Sequence, residues 1–248
     1  MDTFAFLHGG GQGSWVWEPT LSALAGQTSG DAKAISLDIP GCGEKRGMDT
    51  AGLGPDEVAA ILASDIAESG LGEVVLVGHS QAGGILPRIA RLRPDLVRRL
   101  VYVTCSVPSQ GQTVLQMMGA GLHGSVENEV GWPFDPKTCD IGDRYPTLFC
   151  NDMDAPEASV FLAQLGKDAW PKLTYEASHW PLDHLAGIPS TYVACLRDAV
   201  LPLSWQEKFA ARFNTGKTVR IDAGHQVMIS RPHALAEILL IEANAPLS

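Results

Sequence analysis

The sequence predicts a single α/β domain with a mainly parallel six-stranded sheet and helices on both of its faces. Short apolar runs alternate along the chain with longer segments of helical periodicity, which is the rhythm of βαβ units. Several of these runs are apolar throughout, as expected of strands that are buried on both faces. Of the 248 residues, 45% are hydrophobic and 19% are charged, so the chain can bury a large core.

The elements follow one another in a regular order. Six short runs read as strands: Thr3–Leu7, Lys33–Leu37, Glu73–Val77, Leu100–Thr104, Thr191–Leu196 and Thr218–Ile221. Five longer segments read as helices: Trp17–Gln27, Asp56–Ser69, Gln81–Leu92, Ser204–Phe213 and Pro232–Ala243. Pro55 and Gly70 flank the second helix where a helix start and a helix end favour them. Pro87 lies inside the third helix and predicts a kink there or a loosening of its first turns.

The alternation stops between about residues 106 and 189. This segment is rich in proline and in bulky aromatic residues, and only Ala155–Leu165 reads as a helix. Long loops without structure of their own are uncommon in compact domains. We therefore predict a mostly helical cap insertion, at about residues 106–189, within a single domain that spans residues 1–248.

Charge and cysteine content exclude several classes of partner. The formal net charge of −10 argues against nucleic acid, whose binding needs clustered lysine and arginine. The five cysteines are scattered without CxxC spacing and predict free thiols in a reducing compartment. The sequence contains no signal-like or membrane-spanning apolar segment, so we expect a cytoplasmic protein without a membrane partner. The oligomeric state stays open, with a homodimer as one alternative.

A serine surrounded by small residues follows the third predicted strand, in the stretch VLVGHSQAGG at positions 75–84. A serine on a sharp strand-to-helix turn takes strained backbone angles, and the turn closes only if the residues two before and two after it are small. Gly78 and Ala82 hold those positions around Ser80. Such a turn exposes the hydroxyl and directs the next N–H toward a developing oxyanion. An ordinary turn is the alternative, but the flanking strand and helix favour a nucleophile.

A glycine-rich loop, LHGGGQGSWVW at positions 7–17, follows the first predicted strand. Three consecutive glycines let a backbone turn its N–H groups into a cavity with no side chain in the way. Glycine loops also bind phosphate, but this one has neither the P-loop lysine nor the dinucleotide-binding spacing. Hydrogen-bond donation to an oxyanion therefore fits it better.

A serine nucleophile needs a histidine base and an acid that orients the histidine. Of the seven histidines, His225 stands out because it follows the last strand on a glycine-containing loop. The others belong to the glycine motifs, the insertion or a helix start: His8, His79, His123, His179, His184 and His233. Asp198, just after the fifth strand, is the favoured acid, while Asp222 and Asp183 are weaker alternatives. The chain order Ser80, Asp198, His225 is one of the known triad orders.

These motifs, in this order and spacing, resemble the α/β-hydrolase superfamily over nearly the whole chain. The stretches HGGGQGSWVW, DIPGCG, GHSQAGG, STYVACLRDAVLP and AGHQVMISRPHALAEIL carry the likeness. The HG-x-x-x-G-x-W-x-W pattern is similar to that of a compact branch, the plant methylesterases and hydroxynitrile lyases with their bacterial esterase relatives. The resemblance implies an α/β-hydrolase fold, a Ser80–His225–Asp198 triad, Gly10 and Gln81 backbone N–H groups as oxyanion donors, and a cap that shapes the substrate pocket.

Two departures from that branch bear on the reaction. The hydroxynitrile lyases carry Thr at the position of Gly9 and Lys at the position of Gln226, so cyanohydrin cleavage is disfavoured. Haloalkane dehalogenases and epoxide hydrolases need Asp where this chain has Ser80. We therefore expect a metal-free and cofactor-free hydrolase of small, fairly apolar carboxylic esters. A lactonase or thioesterase with the same triad, and a small-molecule receptor with little turnover, remain alternatives.

Overall fold

Six parallel strands form one sheet at the centre of the molecule. The computed structural model describes residues 2–135 and 137–246, and its strands there are β1 (Thr3–Leu7), β2 (Lys33–Leu37), β3 (Val74–His79), β4 (Val97–Val103), β5 (Ser190–Cys195) and β6 (Lys217–Ile221). Their order is β2-β1-β3-β4-β5-β6, and every neighbouring pair is parallel. The predicted fold class is confirmed. The largest difference in a strand boundary is at β4, which begins at Val97 and not at Leu100.

Helices cover both faces of the sheet. In the described part of the chain they are α1 (Glu18–Gln27), α2 (Pro55–Glu68), α3 (Leu86–Leu92), α4 (Val114–Met118), α5 (Ile141–Phe149), α6 (Ala155–Gln164), α7 (Lys172–Glu176), α8 (Leu203–Arg212), α9 (Val227–Ser230) and α10 (Pro232–Ala243). Phe4 and Phe6 of β1 join a core cluster with α1 and α10, whereas Ala5 and Leu7 join the cluster with α2, α3 and α8. None of these described helices is long and apolar enough to cross a bilayer.

The segment after β3 differs from the prediction of one kinked helix. A 3-10 turn over Ser80–Gly84 comes first, and α3 begins only at Leu86. Pro87 therefore lies in the first turn of α3, where a backbone N–H would have no partner within the helix. The predicted kink is wrong, whereas the alternative of loosened first turns agrees with the 3-10 turn, and Pro87 marks the start of a helix.

The segment between β4 and β5 contributes no strand to the sheet. Within its described residues the regular structure is helical, namely α4 to α7 and a 3-10 turn at Asp183–Gly187, with one isolated bridge between Leu122 and Trp132. Trp170, Trp180 and Phe161 bury their side chains against the two core clusters. The segment is thus packed onto the sheet domain through its aromatic residues.

The strand order reverses at the centre of the sheet, between β1 and β3. The chain leaves β1 in one direction to reach β2 and then crosses back to β3. In open α/β sheets, the loops on the two sides of such a reversal diverge and leave a crevice at the carboxyl ends of the strands. Here those loops are the glycine-rich loop after Leu7 and the turn that begins at Ser80.

Candidate active site

Ser80 occupies a sharp turn at the carboxyl end of β3. Its backbone is in the left-handed region, with φ of +54°, a conformation that costs a residue with a Cβ about 1 kcal/mol or more. A Cβ at Gly78 would lie 2.6 Å from Cδ1 of Leu86 and 3.0 Å from Cβ of Ala82. The small residue at position 78 therefore lets the turn close, as the sequence pattern predicts. Ala82, in the place of a second glycine, fits beside it.

Hydrogen bonds join Ser80, His225 and Asp198 in a row. Oγ of Ser80 lies 3.1 Å from Nε2 of His225, and Nδ1 of His225 lies 2.7 Å from Oδ2 of Asp198. The side chains of His225 and Asp198 are only 2% and 0% exposed. Because a carboxylate only accepts hydrogen bonds, Nδ1 carries the imidazole proton and Nε2 is left to accept from the serine hydroxyl. This arrangement can take up the Ser80 proton.

Asp198 is held by further donors. Its Oδ1 accepts the N–H groups of Val200 and Leu201 at 2.7 Å and 2.8 Å. Oγ1 of Thr104, the residue directly after β4, donates to Oδ2 at 2.5 Å. The sequence analysis did not name Thr104, although its place at the carboxyl end of a strand was a usable signal. These contacts fix the carboxylate in the plane that faces His225.

The weaker candidate residues lie elsewhere. Asp222 is 74% exposed and pairs with Arg197 at 2.7 Å. Asp183 is exposed at the start of a 3-10 turn, and His184 donates from Nε2 to the carbonyl of Pro87. In residues 2–135 and 137–246, no three His, Cys, Asp or Glu side chains are grouped so that they could hold a metal ion.

The glycine-rich loop lies directly against the Ser80 turn. A Cβ at Gly9 would come within 2.8 Å of Nδ1 of His79 and 3.0 Å of Cβ of Ser80, and a Cβ at Gly10 would come within 2.5 Å of Oε1 of Gln81. The N–H of Gln81 belongs to the first turn of a 3-10 helix, where N–H groups lack partners within the helix. Gly9 therefore packs against the Ser80 turn, and Gly10 packs against the side chain of Gln81.

Asp152, in the connection between α5 and α6, fastens the loop that carries His225. Its Oδ2 accepts the N–H of Gly224 at 2.8 Å and the hydroxyl of Ser230 at 2.7 Å. The side chain is fully buried, and a Cβ at Gly224 would come within 2.5 Å of its Oδ1. No local pattern marks Asp152 in the sequence, because its partners are far away along the chain.

Two buried histidines beside the site are neutral. Nε2 of His79 donates to the carbonyl of His225 at 2.9 Å, and its Nδ1 has no hydrogen-bond partner among the described residues. The N–H of Ile39 donates to Nε2 of His8, so Nδ1 of His8 donates to the carbonyl of Gly9. Burial lowers the pKa of His8, and it lowers the pKa of His79 well below the ordinary 6.5, because a charged ring would lose its hydration.

These two histidines predict a loss of stability in mild acid. Above pH 6.5 they are neutral in both the folded and the unfolded chain and contribute nothing to the pH dependence. Below this pH the unfolded chain takes up protons that the folded chain does not bind. Each histidine therefore lowers the free energy of unfolding as the pH falls, by at most about 1.4 kcal/mol per pH unit, and urea unfolding at about pH 7.5, 6.5 and 5.5 measures the loss.

A matched pair of variants separates this effect from the titration of carboxylates. His79→Gln removes one of the two buried groups. It should therefore reduce the slope of the free energy of unfolding against pH, by up to the contribution of one bound proton. His233 is exposed, and His233→Gln should leave the dependence as in the wild type. Equal slopes in His79→Gln and the wild type would contradict the prediction.

A small void with room for about one water molecule lies next to Gln81. Its walls include the rings of Trp170 and Trp180 from the segment between β4 and β5, together with Pro55 and Ile85. Nε1 of Trp170 also donates to the carbonyl of Gly9 at 3.1 Å. The segment 106–189 thus encloses the space beside the Ser80 turn.

Comparison with known proteins gives consistent matches along the chain. The sequence profile of the alpha/beta hydrolase family matches residues 4–238. A carbendazim hydrolyzing esterase from Nocardioides sp. is 25% identical over 254 residues, which cover 96% of this chain and 98% of the relative. The putative methylesterase 14 of Arabidopsis thaliana is 24% identical over 261 residues, which cover 98% of this chain and 72% of the relative.

Solved structures with the same architecture include a pyrethroid hydrolase from Sphingobium faniae. The two structures match with a TM-score of 0.78 at 21% identity, and the match covers 99% of this chain and 98% of the hydrolase chain. A methylesterase from Arabidopsis has a TM-score of 0.74 at 18% identity, with 97% and 98% of the two chains covered. At these identities, the likeness shows a shared fold.

Proposed function

The chain belongs to the alpha/beta hydrolase family, and on this basis we propose that it is a serine-dependent hydrolase of carboxylic esters that works through an acyl-enzyme. The observation that carries the proposal is the buried row of hydrogen bonds from Ser80 through His225 to Asp198. Relatives that match nearly the whole chain are named as an esterase and a methylesterase, which supports the same class of bond.

In the first half-reaction, Oγ of Ser80 attacks the ester carbonyl carbon while Nε2 of His225 takes the hydroxyl proton. The electron pair of the carbonyl double bond moves onto oxygen, which accepts hydrogen bonds from the N–H groups of Gly10 and Gln81. Asp198 keeps the other proton on Nδ1 and stabilises the imidazolium. When the tetrahedral intermediate collapses, His225 protonates the leaving alkoxide, the alcohol departs, and an ester of Ser80 remains.

The second half-reaction repeats these steps with water. Nε2 of His225 takes a proton from a water molecule, and the hydroxide oxygen attacks the carbonyl carbon of the acyl-serine. Collapse of the second tetrahedral intermediate breaks the bond to Oγ, and His225 returns its proton to Ser80. The products are a carboxylic acid and the free enzyme, so the cycle consumes only ester and water.

Residues 106–189 act in this proposal as a cap within a single domain. They supply the Trp170 and Trp180 rings that border the small void beside Gln81. Apolar walls of this kind favour small and fairly apolar substrates. The ring of Phe149, at the end of α5, lies 5.8 Å from that of His225.

Cyanohydrin cleavage is not part of the proposal. The lysine of the lyases is absent, because Gln226 stands at its position. In addition, a Cβ at Gly9 would lie 2.8 Å from Nδ1 of His79, which leaves no room for the threonine of the lyases. Lactones and thioesters present the same carbonyl group to Ser80 and need only a different leaving group. They therefore belong in the same substrate panel as simple esters.

A fluorophosphonate probe and a substrate panel test this proposal together. We expect one probe per chain, attached to Ser80 in the mapped peptide, and a loss of hydrolysis in proportion to labelling. The panel would contain p-nitrophenyl esters, lactones and thioesters with acyl groups of about two to eight carbons, and short chains should react best. No turnover on any member together with no labelling would overturn the proposal and favour a receptor.

Asp152→Ala is expected to lower kcat by about tenfold to a hundredfold, with little change in KM. Loss of this carboxylate leaves the N–H of Gly224 and the hydroxyl of Ser230 without their acceptor, so the loop shifts and His225 is misplaced by a fraction of an ångström or more. Kinetics with p-nitrophenyl acetate would measure the change. Asp143→Ala, at an exposed position on α5, should match the wild type, and an unchanged kcat in Asp152→Ala would refute this role.

A further inference from the structure

The peptide group between Gly9 and Gly10 supplies one of the two proposed oxyanion donors. A trans peptide is planar, and its C=O and N–H bonds point in opposite directions. The carbonyl of Gly9 and the N–H of Gly10 belong to the same plane, so the groups that hold the carbonyl also set the direction of the N–H. No backbone carbonyl of the described residues accepts the N–H of Gly10. This donor is therefore left for a ligand.

Two side chains donate to the carbonyl of Gly9. Nε1 of Trp170 lies 3.1 Å from this oxygen, and Nδ1 of His8 lies 2.8 Å from it. Both rings are buried, and they meet edge to face with their centroids 6.0 Å apart. A carbonyl oxygen has two lone pairs, so these two donors fill its capacity. The N–H of Gly10 consequently points away from both rings.

The glycine-rich loop has little rigidity of its own, so hydrogen bonds must hold this peptide. Gly9, Gly10 and Gly11 lack the Cβ atoms that restrict φ and ψ, and Gly11 has a φ of +69°. A peptide between two glycines can therefore rotate as a unit and exchange the places of its C=O and N–H. The rotated peptide would present a carbonyl oxygen, which repels an oxyanion. Rotation would also break the hydrogen bond from Trp170.

Trp170 lies at the end of a short stretch that follows α6 and is fastened to the glycine-rich loop. The N–H of Gly166 donates to the carbonyl of Gly11 at 3.3 Å. Asp168 is buried, and its Oδ2 accepts Nε1 of Trp15 at 3.3 Å. The stretch thus meets the loop at three places. The bond from Trp170 is the one at the peptide with the proposed donor.

We propose that Trp170 is a positioning residue for the oxyanion site, because its indole N–H holds the Gly9–Gly10 peptide with the N–H of Gly10 toward the reacting carbonyl. This inference rests on the proposed ester hydrolysis and gives residues 106–189 a part in the chemical step. Hydrogen bonds to the Gly9 oxygen also polarise the peptide and strengthen its N–H as a donor. Since the oxyanion forms only during the reaction, loss of the Trp170 bond should lower kcat and leave KM nearly unchanged.

A pair of tryptophan variants tests this role. Trp170→Phe keeps a buried ring without the N–H, and kcat for p-nitrophenyl acetate should fall by about tenfold with KM within about twofold, since the donor is loosened and not removed. Trp180→Phe is the matched control. The two tryptophans are 4% and 3% exposed, but Nε1 of Trp180 donates to the carbonyl of Gln112 at 2.9 Å, outside the glycine-rich loop. The control should keep kcat within about twofold of the wild type.

A thiono ester shows whether the lost rate belongs to the oxyanion. In p-nitrophenyl thionoacetate, sulfur replaces the carbonyl oxygen of the acetate, and sulfur is a weak hydrogen-bond acceptor. The ratio of kcat/KM for the oxygen ester to that for the thiono ester should fall by about fivefold in Trp170→Phe. Asp152→Ala displaces the proposed base and should slow both esters alike. Both substrates meet the same protein sample, so a loss of folded protein cancels in the ratio.

The outcomes distinguish this inference from the function on which it rests. Trp170→Met is a second replacement without the donor, since methionine adapts to irregular gaps, and it should lower the ratio in the same way. An unchanged ratio in both Trp170 variants, or an equal decrease in Trp180→Phe, would overturn the role of Trp170 while leaving ester hydrolysis intact. Hydrolysis at the wild-type rate by Ser80→Ala would instead overturn the proposed function.

Discussion

Replacing Ser80 with alanine is expected to lower kcat for p-nitrophenyl acetate by about 10⁴-fold or more. The hydroxyl oxygen is the proposed nucleophile, and His225 has no serine proton to accept once Oγ is gone. The residual catalysis would come from attack by a poorly placed water molecule, with the oxyanion stabilised by the two proposed backbone N–H donors. Burst kinetics should disappear together with turnover, because no acyl-enzyme can accumulate.

Two further variants control for damage to the fold. Ser80→Gly also removes the hydroxyl but relieves the positive φ of +54°, so it should be as inactive as Ser80→Ala and more stable by about 1 kcal/mol. Ser204→Ala, at an exposed position on α8, should keep full activity. If Ser80→Ala hydrolysed p-nitrophenyl acetate as fast as the wild type, the nucleophile would have to lie elsewhere.

Asp198→Asn is expected to cost about 10⁴-fold in kcat with little change in KM. Oδ1 of Asp198 accepts two backbone N–H groups, so an asparagine would keep its oxygen there and turn its NH₂ toward His225. Nδ1 would then accept a hydrogen bond, and the imidazole proton would move to Nε2. In that tautomer the ring faces Ser80 with a proton already in place and cannot act as its base.

A comparison with Asp222→Asn shows whether the effect is specific. Asp222 is close to His225 in the sequence but pairs with Arg197 at the surface, so this variant should stay within about twofold of the wild type, as surface changes usually do. Unfolding curves for both variants would show that each is folded. Full activity in Asp198→Asn, or a large loss in Asp222→Asn, would assign the orienting role to the other carboxylate.

The sequence was informative where local chemistry determines local structure. Continuous apolar runs marked the buried strands, and the small residues around Ser80 marked a turn that only such residues allow, because Gly78 has no space for a side chain. The parallel arrangement of the strands followed from the helix-length connections between them. Pro87 was placed inside a helix because the predicted helix start was too early: a 3-10 turn over Ser80–Gly84 precedes α3, and Pro87 lies in the first turn of α3.

The contacts that join distant segments were not accessible in this way. Thr104 follows a strand, which is a local signal, but its contact with Asp198, about 90 positions away, is not visible in the sequence. Asp152 holds Gly224, about 70 positions away, and lies in no recognisable motif. The same is true of Tyr175, whose hydroxyl meets Gln81 only after the segment 106–189 has folded over the sheet. Proline and aromatic residues predict that such a segment packs, but they do not determine which of its side chains arrive at the crevice.

The strand order also has a consequence for biosynthesis. After the β2-β1-β3 unit, each later strand in the chain joins the same growing edge of the sheet, in the order β4, β5, β6. A nascent chain can therefore build its sheet from one side as it leaves the ribosome, without opening a pair that has already formed. The loops with Asp198 and His225 follow the last two strands, so Ser80 meets His225, its proposed base, only when nearly the whole chain has been made. Under the proposed function, a partly synthesised chain would carry an inert serine.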